Sequence, residues 1–165
     1  MIPMLLLSLA APATGQEPEE ALVAADEARF LTGLGVSHWV TADAAATGPA
    51  LTWGLVLLPR RLDFLLSIGA MMGDSTYTVP VAPRFNVRHE VASWLDLFLA
   101  PGPTIFFDKF EGSWHHDFAI SASGGASLSP RGYMWMLRIS GDYHLRFWRE
   151  VRNSGGFTVG FLYGF

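Results

Sequence analysis

Oppositely charged side chains lie within apolar stretches along the whole chain, and they are the first candidates for chemistry. The set contains four arginines and four aspartates: Arg29, Asp63, Arg84, Arg88, Asp96, Asp117, Arg138 and Asp142. Two parallel hydrogen bonds from a guanidinium can satisfy a buried carboxylate. We predict a charge network built from five of these residues: Asp63, Arg84, Arg88, Asp96 and Arg138. It is either a neutral plug or a polar path for ions or protons, and the balance of charge favours the plug.

Histidines near carboxylates are the second candidates. His38, His115, His116 and His144 are expected at one rim of the fold, near Asp108, Asp117 and Asp142. Imidazoles with carboxylates can bind a divalent metal or act as acid and base in a lipid-modifying enzyme. However, the adjacent histidines in "HHD" lack the i, i+2 spacing of one strand face, and no serine stands in a nucleophile motif. We therefore predict no catalytic residue, no metal site and no cofactor.

The elements that must position these residues are strands, because apolar residues fall on alternate positions in segments of about ten residues bounded by turn residues. Eight such segments follow one another: "ARFLTGLGVSHWV", "ALTWGLVLLP", "LDFLLSIGAMM", "VPVAPRFNVRH", "SWLDLFLAPGP", "HDFAISASGGASL", "YMWMLRISGDYH" and "SGGFTVGFLYGF". One face of each segment is Leu, Phe, Val and Trp, and the other is rich in Gly, Ser and Ala with a few charges. A narrow lumen suits the small face, and lipid suits the apolar one. The fold class is thus predicted as all-β, an eight-stranded antiparallel up-and-down transmembrane β-barrel.

The connections between the segments alternate in length. Those after the second, fourth and sixth segments are short, whereas "TADAAATG", "GDSTYT", "FDKFEGSWH" and "LRFWREVRN" are longer. Outer-membrane barrels have short periplasmic turns and long external loops, so we expect surface loops at these four places. With this orientation, Asp63, Arg88 and Asp96 should meet near the periplasmic end.

The start of the chain and its composition indicate the compartment. An apolar run with an A-x-A pattern at Ala11–Ala13 predicts a signal peptide over 1–15, a short lead-in over 16–27 and a barrel domain over 28–165. Hydrophobic residues make up 50% of the chain and charged residues 16%, which suits a membrane barrel. A net charge of -4 gives no basic field for nucleic acid.

The last segment carries the most specific resemblance to a known family. Phe161, Tyr163 and Phe165 alternate along it, and with this pattern the chain resembles the small eight-stranded outer-membrane barrels of the OmpA and OmpX type. The resemblance implies that these three aromatics are an assembly signal read by the barrel-assembly machinery. It also implies outer-membrane lipid and lipopolysaccharide as surroundings, and we expect a monomer.

Prolines and aromatics set further expectations. Pro83, Pro101 and Pro103 remove backbone donors, so the fifth strand should leave the membrane near Ala100 or carry a bulge there. Aromatic girdles at the two membrane interfaces explain the Trp and Tyr residues near the strand ends: Trp39, Trp53, Trp94, Trp114, Tyr133, Trp135 and Tyr143. The last long connection carries Arg146, Arg149 and Arg152, which could meet anionic lipopolysaccharide.

The function predicted from the sequence is a structural or surface-interaction role in the outer membrane, with a closed, polar-plugged lumen, no general pore and no enzymatic activity. Two alternatives stay open at this point. One is a lipid-modifying enzyme of the lipid A acyltransferase or deacylase type. The other is a soluble lipocalin-like carrier, whose strands would alternate in the same way but with the apolar face inward.

Overall fold

The computed structural model describes residues 30–41, 44–59, 61–73, 76–110, 112–129, 134–148 and 150–165. The predicted signal peptide (1–15) and lead-in (16–27), and with them Arg29, lie outside these ranges. Nine strand segments make up the fold: β1 (Phe30–Val40), β2 (Ala45–Leu58), β3 (Leu62–Gly69), β4 (Met71–Met72), β5 (Tyr77–Ala92), β6 (Leu95–Phe110), β7 (Ser113–Leu128), β8 (Trp135–Trp148) and β9 (Glu150–Gly164). Across the described residues there is no helix of the length and apolarity needed to cross a membrane.

The strands close into a barrel in which neighbours along the chain are neighbours in the sheet. β3 and β4 are two parts of one strand interrupted at Ala70, since β2 and β5 pair with both. All pairs are antiparallel, and β1 joins β9 from Leu31↔Gly164 to Val40↔Gly155. The barrel therefore has eight strands in up-and-down order, which confirms the predicted fold class.

The two faces of the wall follow the predicted alternation. Leu55 and Leu97 are 43% and 49% exposed on the outer surface, whereas lumen-facing Asp63 and Asn86 are 1% and 0% exposed. Since side chains of a strand alternate between faces, the apolar half of each segment forms one continuous outer band. An apolar exterior around a polar interior is the inverse of what a soluble carrier requires, and it is the arrangement of a transmembrane barrel.

The fifth barrel strand differs from the prediction. β6 continues past Pro101 and Pro103 to Phe110, and its pairing with β7 is unbroken from Leu95↔Leu128 to Phe110↔Ser113. The strand therefore has neither a boundary nor a bulge near Ala100, and both forms of the expectation are wrong. Both prolines point outward and leave the β7 side of the strand intact.

The expected long loops also differ, because most of their residues extend the strands. We call the barrel end with connections 41–44, 73–76, 111–112 and 149 the upper end, and the end with 59–61, 93–94 and 129–134 the lower end. The connections at the upper end are therefore similar in length to those at the lower end. In "FDKFEGSWH" the turn is reduced to two residues, of which Gly112 has a φ of +83°, a left-handed conformation that favours glycine.

Candidate functional site in the barrel lumen

The lower part of the lumen holds a cluster around Asp63. Arg88 contacts this carboxylate twice, with Nη2 donating to Oδ1 at 3.0 Å and Nε lying 3.0 Å from Oδ2. Asn86 donates to Asp63 Oδ2 at 2.8 Å, and Arg88 Nη1 lies 3.8 Å from Asp96 Oδ2. These residues come from the neighbouring strands β3, β5 and β6, whose lumen faces the alternation places side by side. The lower cluster therefore contains the three residues that were expected to meet here.

Two contacts cross the lumen between β5 and β8, which are not neighbours in the sheet. Arg84 on β5 donates from Nη1 to Asp142 Oδ1 on β8 at 2.9 Å. In the opposite direction, Arg138 on β8 donates from Nη2 to Asn86 Oδ1 on β5 at 2.7 Å. The side chains of these strands thus meet across the middle of the barrel.

The Arg84–Asp142 pair has further partners that fix it. Ser123 contacts both members, and Thr158 donates to Asp142 Oδ2 at 2.8 Å. Thr158 in turn shares a hydrogen bond of 2.8 Å with Ser37 on the neighbouring strand. Since the hydroxyls come from β1, β7 and β9, the pair is tied to most of the circumference at this level.

Arg138 is bound in a different way from the other arginines. Its guanidinium carbon lies 3.4 Å from the ring centroid of Phe98, and its hydrogen bond goes to the Asn86 amide. No contact between Arg138 and a carboxylate occurs among the residues that the structure describes. The network thus includes one cation held by an amide and an aromatic face.

The upper part of the lumen contains a third cluster that the sequence analysis did not assemble. Arg146 donates from Nε to Asp117 Oδ2 at 2.8 Å and also contacts Asp108. Thr78 donates to Asp108 Oδ1 at 2.6 Å, and the Arg146 guanidinium lies 4.1 Å from the centre of the Phe106 ring. Arg146 was assigned to a surface loop that could meet lipopolysaccharide; that assignment is wrong, because the residue sits on β8 with its side chain turned inward. Arg149 lies outside the described residues.

His144 is not a rim residue, as had been expected, but a buried one. It is 0% exposed, and its ring lies 4.6 Å from Trp39 and 5.3 Å from Phe106 between centroids. Trp39 therefore also departs from its expected place in an aromatic girdle. Both residues carry the lumen parity of their strands, β8 and β1, so the alternation within the predicted segments already places them on the lumen face.

A serine contacts His144, which bears on the enzyme alternative. Ser121 Oγ and His144 Nδ1 are 2.7 Å apart, but both residues are buried, and His144 Nε2 has no partner within the described chain. His38 instead faces outward and contacts Thr47. In the described ranges no group of three His, Asp or Glu side chains could hold a metal ion.

A cavity of about 90 Å³ lies in the middle of the lumen. Small residues of β1, β2, β3 and β9 line one side of it, including Gly33, Gly35 and Gly160, and Arg84, Arg138 and Asp142 line the other. The charged side chains thus fill one half of the cross-section, and the cavity lies in the other half.

The aromatic residues of the expected assembly signal all face outward on β9. Phe161, Tyr163 and Phe165 are 58%, 49% and 59% exposed. Phe165 also exchanges two backbone hydrogen bonds with Phe30, of 3.0 and 3.1 Å, where the first and last strands meet. The three residues therefore lie on the strand that closes the barrel.

These features define the class of protein: a small transmembrane β-barrel with a polar, ion-paired lumen. Neisserial surface protein A has a similar structure, with a TM-score of 0.68 and 13% identity over 82% of this chain and 97% of that one. The N-terminal barrel domain of Pseudomonas aeruginosa OprF is similar with a TM-score of 0.59 and 11% identity, over 83% of this chain and all of that one.

A third similar structure is Ail, the attachment invasion locus protein of Yersinia pestis, with a TM-score of 0.54 and 12% identity over 84% of this chain and 97% of that one. No family model matches the sequence, and no curated protein matches it. At such low identities the similarity establishes the fold, that of small eight-stranded outer-membrane barrels.

Proposed function

We propose that this protein is a monomeric barrel of the bacterial outer membrane with a structural or surface-interaction role and a lumen closed to general diffusion. The observation that carries the proposal is the pair of contacts crossing the lumen in opposite directions, Arg84 to Asp142 and Arg138 to Asn86. Eight strands enclose only enough room for side chains. Two long arginines laid across that space from β5 and β8 narrow the lumen, which supports its closure to general diffusion.

The structural relatives support the compartment and the role. They are a neisserial surface protein, a barrel domain of OprF and an attachment invasion locus protein. The outer band of apolar side chains is suited to outer-membrane lipid, with lipopolysaccharide as the outer leaflet of the surroundings. A lipid-modifying enzyme has less support, because the Ser121–His144 pair is buried and the described residues place no carboxylate against the imidazole.

Conductance in planar lipid bilayers tests the closed lumen. We expect no steady ion current from the folded protein, and a measurable current after Arg84→Ala and Arg138→Ala are combined, because both crossings are then removed. Ser37→Ala serves as the control, since it removes one lumen hydroxyl and no crossing. A steady current through the unaltered protein would show that the lumen is a polar path and not a plug.

The closing strand suggests how the barrel reaches its membrane. We propose that Phe161, Tyr163 and Phe165 are read by the barrel-assembly machinery during insertion. Phe165→Ala should then lower the amount of protein inserted in cells and leave export into the periplasm unchanged. Phe157→Ala is the matched control on the same face, and equal insertion of the two variants would count against an assembly role for Phe165.

A further inference from the structure

One stretch of the barrel wall has no ladder of backbone pairs. Pairing between β5 and β6 stops at Val81↔Ile105 and resumes at Val87↔Leu99. The interval is six residues on both strands, so the register is unchanged and there is no bulge. We call residues 82–86 of β5 and 100–104 of β6 the β5–β6 seam.

Prolines explain the seam. The constant register places Pro83 opposite Pro103 and Phe85 opposite Pro101. The other edges of both strands are fully paired, β5 with β3 and β6 with β7, so the missing N–H groups all point into the seam. Backbone carbonyls there have lost their donors at a depth where lipid supplies none.

Close contact of the two backbones holds the seam where the proline N–H groups are missing. A Cβ on Gly102 would lie 2.9 Å from the Cα of Arg84, so only glycine permits the observed approach of the two strands. Two further lumen-facing residues of the seam are small, Ala82 at 4% and Ala100 at 1% exposed. Arg84 and Asn86 also point into the lumen from the seam, but their hydrogen bonds go to β3, β7 and β8 and not across the seam to β6.

Behind the seam lies the central cavity, which Ala82, Arg84 and Ala100 help to line. Its polar boundary contains Asp142, which Arg84 and Thr158 already bind, and two donors without acceptors. The Nε–H of Arg84 and the indole N–H of Trp39 are buried without an acceptor among the described residues, and both residues border the cavity. Arg138, the cation held by Asn86 and Phe98, borders it as well.

From these observations we propose that the β5–β6 seam is a lateral opening of the barrel wall, through which the carboxylate of a single-chain, bilayer-dissolved fatty acid reaches the cavity beside Arg138. The carboxylate supplies acceptors to the unpaired N–H groups of Arg84 and Trp39 and a negative charge to Arg138. A cavity of about 90 Å³ has room for a carboxylate head, while the chain stays in the seam and the bilayer. This inference goes beyond the structural role proposed above, and it is compatible with a lumen closed along its axis.

Cysteine labelling tests the opening, because the chain contains no native cysteine. Ala82 and Ala119 are matched lumen-facing sites, 4% and 0% exposed, on either side of Thr104. Ala82 faces Thr104 across the seam, and Ala119 pairs with it in the intact β6–β7 ladder. In phospholipid vesicles, bilayer-dissolved pyrene maleimide should label A82C about ten-fold faster than A119C, since local opening exposes only the former.

A second pair of variants keeps the labelling test decisive. Pro83→Val with Pro103→Val should slow labelling of A82C, because the restored N–H groups close the seam. If A82C does not fold, A100C on the opposite strand of the seam takes its place. The proposed lateral opening would be overturned if the seam and control cysteines are labelled at equal rates. It would also be overturned if neither seam cysteine is labelled in folded protein.

The same assay tests the ligand, with sodium oleate as the probe. Oleate should slow labelling of A82C, whereas methyl oleate and sodium bromide should not. Arg138→Gln should lose the protection and Arg138→Lys should keep it, with gel mobility before heating as the check of folding. Any of three results would overturn the assignment of a fatty-acid carboxylate. These are equal protection by oleate and its methyl ester, protection by bromide, and full oleate protection in the Arg138→Gln variant.

Discussion

Asp63 and Arg88 show what alternation can predict about single residues and what it cannot. Alternation assigns each charge to the lumen face, and neighbouring strands bring Asp63, Arg88 and Asp96 into one cluster. It does not say how far a side chain reaches across the barrel. Arg84 extends to Asp142 on a strand three places away in the sheet, and Arg138 extends back to Asn86. Such crossings depend on the width of the closed barrel, which no single segment encodes.

Charge reversal at Asp63 and Arg88 tests the lower cluster. Asp63→Arg or Arg88→Asp alone places like charges together in a buried site, and each should lower the free energy of unfolding by about 3–5 kcal/mol. The double reversal should recover only part of this loss, because the new aspartate at position 88 would face Asp96. Urea unfolding in lipid vesicles, followed by tryptophan fluorescence, measures the three changes; additive losses in the double variant would contradict a direct pair.

The strands show that the effect of a proline depends on which neighbour its missing N–H faces. Pro101 and Pro103 are two residues apart, so both lost donors point to β5, and the ladder to β7 survives. For this reason β6 runs to Phe110 although its sequence suggests an early end. The long connections differ from the prediction because alternation alone does not show where pairing ends. The stretch "FDKFEGSWH" lacks clean alternation, yet its two halves pair with each other and extend β6 and β7.

Restoring donors should strengthen the β5–β6 seam. Pro83→Val with Pro103→Val returns two N–H groups to facing positions and should raise the free energy of unfolding by about 1 kcal/mol for each hydrogen bond formed. Pro101→Val returns one donor, opposite Phe85, and should give about half the gain of the pair. Ile105→Val is the control, since it also places valine on the lipid face of β6 and adds no donor. No gain from either proline variant would mean that the seam carbonyls are already satisfied.

Glycines on the two faces of the wall should respond differently to alanine. A Cβ on lumen-facing Gly125 would overlap the carbonyl of Ile139 and lie 2.8 Å from the Cα of Ser140, whereas one on outward-facing Gly141 would meet nothing closer than 4.0 Å. We therefore expect Gly125→Ala to lower the free energy of unfolding by about 1–3 kcal/mol through overpacking. Gly141→Ala should leave it within about 0.5 kcal/mol of the parent value. Similar losses from both variants would contradict the assigned faces.

At the scale of the whole molecule, the fold follows from one property of the sequence, the separation of apolar and small or polar residues onto alternate positions. That pattern fits a soluble barrel and a membrane barrel equally well until the apolar face is placed. The structure places it outside, with Leu97, Leu99 and Ile105 49%, 56% and 40% exposed on a single strand. The lumen holds the charges that such a wall could not carry on its lipid face.

A spin-label scan of β6 in phospholipid vesicles tests this arrangement most directly. Single cysteines are placed at each position from Leu95 to Ala100, and the label's collision rates with dissolved oxygen and with a water-soluble nickel chelate are compared. The account predicts that oxygen, which concentrates in the bilayer, collides most often at Leu95, Leu97 and Leu99, and least at the lumen positions between them. Maxima for the nickel chelate at these three leucines would contradict it, because the apolar band would then face water.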